Sequence, residues 1–527
     1  MKGFYIRIRT ITWNWMIILV ANLAMFPLNA QRITLDEKKT YQTIHSFGAS
    51  DCWSAAMVGR FYPESKKKQI AEWLFSQETD AKGNPKGIGL SQWRFNIGAG
   101  SAEQGKDSRI SNEWRRAESF YGPEGQLDWE KQEGQRYFLQ AAHQHKVPFT
   151  VGFLNSSPVQ MTLNGLAFGH GKLGEWNFKR EKIDDWVNFL VNVSAHFSLS
   201  YVSPFNEPQW EWAAGKSGDA SQEGTPINNS DIAWAVKRLD EGIRTKGLKT
   251  RILIPEAGQL DYLYRKNTNR TATQQDNQIE QFFKTESPDY LGNLASMEKV
   301  VAGHSYFTTS PNTQLIQKRK ELQAEAAKFG VDFWQSEYCI LGDNAGEIKG
   351  NGADLGMKTA LYVAKVIHAD LVYAQASSWS WWLSLSANDY KDGLIYLFNG
   401  GLKGENDANK YDSDILDSKT LWAFGNYARF VRPGMKRFEV QLDHANTQVS
   451  GYKSDQQTVL VIVNAGESFE LEIPGLRKGE TVARYVTSSI ENLGYDQIKN
   501  SRIKISGEAV VTLVFSSKRE IRSMIKN

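Results

Sequence analysis

Three shortages narrow what this chain can be. It has two cysteines, Cys52 and Cys339, in 527 residues. Neither stands in a Cys-x-x-Cys pair, which argues against a structural zinc centre and leaves either one bridge or two buried thiols. It has no long apolar run beyond the first thirty residues, so nothing after that point can span a bilayer as a helix. It also lacks excess charge. Removing the basic residues Lys2, Arg7 and Arg9 with the leader takes Lys and Arg from 62 to 59, against 59 Asp and Glu. A neutral surface without a basic stripe argues against nucleic acid, anionic membranes and polyanionic substrates as main partners. Catalytic signatures are missing as well. No Gly-x-Ser-x-Gly elbow supplies a serine nucleophile, and "FGASDCW" after the first predicted strand is no phosphate-binding loop. His143 and His145 have no third ligand nearby in the sequence, so no metal and no cofactor is expected.

What is present begins with a leader. Positive residues, the run "WMIILVANLAMFPL" and "NA" before Gln31 read as an export signal over residues 1–30, with cleavage after Ala30. Aromatics are plentiful at 17 Trp, 20 Tyr and 26 Phe. Such rings serve either as core bulk or as flat surfaces on which other rings stack.

From residue 31 onward, short β-branched or aromatic runs alternate with segments of helical period. Strands are predicted at 43–49, 90–98, 147–155, 200–206, 250–257, 300–307, 331–338 and 376–383. Between them, Ile183, Trp186, Val187, Leu190, Val193 and Phe197 mark one helix face. Ile232, Val236, Leu239 and Ile243 mark another, behind a Ser230/Asp231 cap. Eight such repeats predict a closed (β/α)8 TIM barrel over residues 31–431, in the α/β class. After about residue 432 the period falls to two, with Gly, Asn and Asp breaks. This predicts an antiparallel β-sandwich over 432–517, to which residues 31–42 can add a strand, and a charged tail at 518–527.

In a parallel barrel the loops after the strands converge on one face, so polar residues at strand ends are the candidates for chemistry. They are Arg94 and Asn96, Asn155, Asn206 and Glu207, Glu256, His304 and Tyr306, and Glu337. Two of them, Glu207 after the fourth strand and Glu337 after the seventh, face each other across the mouth. Paired carboxyl groups are the minimum equipment for cleaving a glycosidic bond, one giving a proton and the other attacking or stabilising the cationic carbon. Arg94 and Tyr306 would hold Glu337 in its charged form, while Glu207 in drier surroundings would keep its proton. Asn206 can bond a sugar hydroxyl, and His304 suits a polar pocket wall. Trp210, Trp212, Trp379, Trp381 and Trp382, near the strand ends, offer rings for stacking, though about half of these positions also suit packing.

The motifs "FNEP", "QSEY", "RFNIGAGS" and "NSSPVQMTLNG", in this order after the fourth, seventh, second and third strands, together resemble glycoside hydrolase family 30. The resemblance implies Glu207 as acid/base, Glu337 as nucleophile and net retention at the anomeric carbon. "NEPQWEW" and "RFNIGAGSAEQG" look most like the branch acting on β-1,6-galactan of the arabinogalactan type. Other members cut β-1,6-glucan, glucuronoxylan or glucosylceramide, and "LNSSPVQM" departs from the tryptophan-containing motif of several relatives. The expected partner is a neutral polysaccharide or oligosaccharide outside the cytoplasm, met by a monomer. A sugar-binding protein without turnover is the reading from another class.

Overall fold

The computed structural model describes residues 30–266, 268, 274–473, 481–500 and 502–516. The expected export signal, apart from Ala30, and the tail at 518–527 lie outside the described residues.

Eight parallel strands close into a barrel: β1 (Ser46–Ser50), β2 (Gln92–Asn96), β3 (Phe149–Phe153), β4 (Tyr201–Ser203), β5 (Arg251–Ala257), β6 (Met297–His304), β7 (Asp332–Tyr338) and β8 (Ser378–Ser386). Each pairs with the next, and β8 closes the ring by pairing with both β7 and β1. Every predicted strand thus overlaps an observed one. The barrel sheet continues into two further strands outside the eight expected. β9 (Gly393–Phe398) pairs with the far end of β8 through Leu383, Leu385 and Ser386, and β10 (Asp414–Asp417) runs antiparallel to β9. β8 spans nine residues, so its C-terminal half outruns the barrel and is free to take this extra partner.

The helices follow their apolar periods. The helix Asn229–Thr245 buries Ile232, Val236, Leu239 and Ile243 as expected, but its cap is Asn228, whose side chain accepts from the Asp231 N–H at 2.9 Å. Asn satisfies an orphan amide at a helix start as well as Ser or Asp does, and it lies two residues before Ser230, where the cap was expected.

Beyond the helix Lys419–Ala428 the chain builds a sandwich. A seven-stranded sheet runs in the order Thr34–Thr43, Lys436–Gln441, Thr447–Lys453, Gln457–Asn464, Ala509–Ser516, Val482–Thr487, Gly494–Ile498. A three-stranded sheet of Gln31–Arg32, Phe469–Glu472 and Arg502–Ile505 covers one face of it. Alternation assigns the faces. Leu460 and Ile462 join Phe469, Leu471 and Ile505 in the core between the two sheets, whereas Val459, Val461 and Val463 belong to the large core shared with the barrel. At that junction Thr512 Oγ1 donates to the Asn426 carbonyl at 2.8 Å and accepts from Asn426 Nδ2 at 3.0 Å. Cys52 and Cys339 are both free and buried, so the chain carries two thiols and no bridge.

Candidate active site

The carboxyl ends of β2, β4, β5, β6 and β7 bring together one buried polar cluster. Glu207 sits four residues past the end of β4, in a left-handed backbone conformation with φ 46°. A non-glycine residue there costs roughly 1–2 kcal/mol. Three hydrogen bonds hold it: its N–H donates to the Glu256 carbonyl at 2.8 Å, and its own carbonyl accepts from Trp212 Nε1 at 2.9 Å and the Trp210 N–H at 3.2 Å.

Glu337, on β7, is gripped at both oxygens. Arg94 Nη1 donates to Oε2 at 2.5 Å and the Tyr306 hydroxyl to Oε1 at 2.9 Å. The Arg94 guanidinium lies 3.8 Å over the Phe153 ring, with Nη2 donating to Asn206 Oδ1 at 2.9 Å and 3.6 Å from Glu256 Oε2. Its direction is therefore fixed on every side.

His304 links the two walls. Its Nδ1 is 2.8 Å from Glu207 Oε1 and 3.7 Å from Glu337 Oε1, and its Nε2 is 3.1 Å from Glu256 Oε2. Burial alone would lower the pKa of this ring, but the charge of Glu337 and the hydrogen bonds to Glu207 and Glu256 push it up to about 10. Both ring nitrogens then donate. For Glu256, burial opposes ionisation, yet Arg94, His304 and Ser336 outweigh it and hold the carboxyl down at about 2. For Glu207, burial wins and the nearby Glu337 adds to it, so its pKa is raised despite His304 and Arg94. Two cations, Arg94 and His304, thus balance two anions, Glu256 and Glu337, when Glu207 carries its proton. Because His304 donates to Oε1, that proton belongs on Oε2.

One oxygen or nitrogen from each of Glu207, His304 and Glu337 lies within 4.8 Å of the others. The spacing suits a metal, but the chemistry does not: an imidazole donating from both nitrogens has no lone pair to offer, and Arg94 occupies Glu337.

In front of the carboxyl groups lies a cavity of about 480 Å³. Trp53 and Trp382 meet edge to face at 5.2 Å on one wall, with the Arg115 guanidinium 4.1 Å over Trp53. Arg115 is in turn paired with Glu405 at 2.8 Å. Trp212, bonded to the Glu207 carbonyl, Gln222, Asn388, Asp389 and Asp392 also line the cavity. Burial pushes Asp392 up to about 6, although Ser386 and Asn388 bond to it.

Of the residues singled out from the sequence, Glu207, Glu337, Arg94, Asn206, His304 and Tyr306 converge here. Asn96 and Asn155 are buried behind them and share one bond, at 3.4 Å, off the cavity wall. Trp210 lies outside the cavity, on the side of β5 and β6. Trp379 and Trp381 correct the expectation of stacking surfaces. Both are buried, against Tyr338 and, for Trp379, Phe424, with their Nε1 atoms bonded to the Asp370 carboxylate and the Asp392 carbonyl. Trp379 points towards the helix layer and Trp381 towards the connection that holds Asp392, while Trp382, the next residue on, lines the cavity. Trp53, Arg115 and Asp392 were not singled out from the sequence, and Glu256 stood among the strand-end candidates without a role. Glu256 carried the same strand-end signal as the other two glutamates, but sequence does not say which carboxyl will be neutralised from within.

Comparison with known proteins agrees with this geometry. The profile described as O-glycosyl hydrolase family 30 matches residues 30–396. A crystal structure of a conserved exported protein from Bacteroides fragilis superposes with a TM-score of 0.84 at 31% identity, covering 92% of this chain and 100% of that one. Glucuronoxylanase XynC of Bacillus subtilis (strain 168) is 27% identical over 322 residues, 59% of this chain and 58% of the xylanase, so the chain spans under two thirds of that relative's length. An endo-β-1,6-glucanase shares the fold with a TM-score of 0.63 at 14% identity, over 93% of this chain and 94% of the other.

Proposed function

The chain belongs to O-glycosyl hydrolase family 30, and from that premise we propose that it is a retaining endo-β-1,6-galactanase that acts on arabinogalactan-type side chains outside the cytoplasm. Glu337 attacks the anomeric carbon as Glu207 Oε2 passes its proton to the departing oxygen, leaving a glycosyl ester on Glu337. Glu207, now a carboxylate, takes a proton from water, and the water oxygen displaces Glu337 from the same carbon. Two inversions give net retention.

The observation that carries the mechanism is the approach of Glu207 and Glu337, one carboxylate oxygen of each lying within 4.8 Å of the other. Retaining enzymes place these groups about 5–5.5 Å apart, whereas inverting ones need about 6.5–9.5 Å to admit a water between them. Arg94 and Tyr306 orient the nucleophile, and His304 turns the acid so that one oxygen is left for the substrate.

The choice of a neutral substrate is supported by the cavity. Arg115, the cation on its wall, is already paired with Glu405 and Asp389 with Lys403, so among the described residues the lining offers no unpaired cation to a uronate. The choice of galactan rests on the wording of "NEPQWEW" and "RFNIGAGSAEQG". A β-1,6-glucan substrate is the second reading, prompted by the fold likeness to an endo-β-1,6-glucanase. Product profiling on β-1,6-galactan, β-1,6-glucan and xylan separates these. Proton NMR of the first product must show a β-anomer, and an α-anomer would refute the mechanism.

A further inference from the structure

On the rim beside Glu207, Phe307 is half exposed, at 51%, in a left-handed conformation with φ 58°. A bulky side chain in that conformation is a backbone outlier, and one with half its ring in water gains little burial to compensate. The strain persists because the segment around it is fixed from below. Ser305 Oγ donates to the Asp370 carboxylate, Arg319 pairs with Asp370 at 2.7 Å with both fully buried, and Arg319 Nη1 donates to the Thr308 carbonyl at 2.9 Å. Such over-determined strain clusters at functional sites.

The ring also has a built setting. It meets Trp210 edge on, with centroids 6.3 Å apart and planes at 85°, and lies 6.3 Å from Tyr306, the residue that bonds Glu337. Trp210 is itself wedged against bare backbone: a Cβ at Gly258 would come within 2.4 Å of its Nε1. Among the described residues, the cavity takes most of its walls from β7, β8 and the loops after β1, β2, β4, β7 and β8. From the loops after β5 and β6 it takes Tyr306 alone. Phe307 and Trp210 therefore lie just outside the cavity, on the rim beside its lining residue Tyr306, with the Phe307 ring also close to Gly342, next to the lining residue Leu341.

We propose that Phe307, buttressed by Trp210, is the platform on which the sugar ring of the leaving group stacks its C–H face. This inference rests on the glycosidase reading above. With the glycone in the cavity and the scissile oxygen facing Glu207, the sugar beyond the cleavage point passes over the rim beside Glu207 and Tyr306, where Phe307 offers an exposed face. Such a platform favours internal cleavage of a polymer over removal of single terminal units from small glycosides.

The test compares kcat/KM for a β-1,6-linked galacto-oligosaccharide with kcat/KM for the matching β-glycosyl fluoride, whose leaving group has no ring to stack. If profiling selects glucan, the gluco-oligosaccharide and its fluoride take their place. Phe307→Gly removes the platform and relieves the backbone, so its melting temperature should equal or exceed that of the parent. Its ratio of oligosaccharide to fluoride kcat/KM should fall at least about tenfold. Phe307→Trp should keep the ratio within about threefold of the parent. An unchanged ratio in Phe307→Gly would overturn the platform while leaving the mechanism intact. A parent protein inert on both substrates would overturn the glycosidase reading, and this inference with it.

Discussion

His304 bridges Glu207 and Glu256, its two ring nitrogens 2.8 Å and 3.1 Å from their carboxylate oxygens. The imidazolium therefore ties the proposed proton donor to a buried anion that never meets substrate. Glu256 is held at about 2 from a usual 4.5. A depressed carboxyl contributes stability that is fully present above its unfolded pKa and is lost as pH falls through the folded one. The window is thus from about pH 4.5 down to pH 2. Glu256→Gln should be less stable at neutral pH by about 3–5 kcal/mol, because it leaves Arg94 and His304 short of an anion. Its stability should also change less than the parent's across that acid window. Denaturant titrations at stepped pH values measure both.

Glu207 must be protonated to act, and burial raises its pKa. The alkaline limb of the kcat/KM profile should accordingly lie above the ordinary glutamate range. Glu207→Ala should lose about 10²–10⁴-fold on oligosaccharides. On a glycosyl fluoride, which needs no proton, it should lose far less in the first step, and added azide should speed the second and yield a β-glycosyl azide.

If Glu337 forms the glycosyl ester, a 2-deoxy-2-fluoro glycoside of the preferred sugar should trap it. Mass spectrometry of the digested protein should place the added sugar on the peptide containing Glu337, and Glu337→Gln should take up no label. Labelling at Glu207 or Glu256 instead would reassign the roles.

Gly224 packs against the indole of Trp212, so closely that a Cβ there would come within 2.4 Å of Trp212 Cδ2. Gly224→Ala should push the ring into the cavity and weaken its bond to the Glu207 carbonyl. We expect a loss of about 1–3 kcal/mol in stability, with a raised KM on oligosaccharides. Thermal melts and initial rates at several substrate concentrations report the two effects.

The barrel was legible because each strand is an apolar run with a polar residue at its end, and that same pattern exposed Glu207, Arg94, His304 and Glu337. What escaped depends on phase and on depth. In "SSWSWWLS" the tryptophans at 379 and 381 share one face and Trp382 takes the other, but nothing in the letters says which face looks into the mouth. Trp53 and Arg115 come from loops after β1 and β2, whose paths are set by contacts such as the Arg115–Glu405 pair, made between residues 290 positions apart. Asp392 follows β8 in a connection to β9, a strand the eight-repeat reading did not contain.

The strand Thr34–Thr43 precedes the barrel in the chain yet pairs with Lys436–Gln441, beyond it. The accessory sheet is therefore no detachable cassette. Truncating near residue 432 would strip a ten-residue strand of the strand it pairs with and present a bare row of amides and carbonyls to other molecules, an invitation to edge-to-edge aggregation. Engineers who wish to graft this barrel elsewhere must carry both ends of the polypeptide with it.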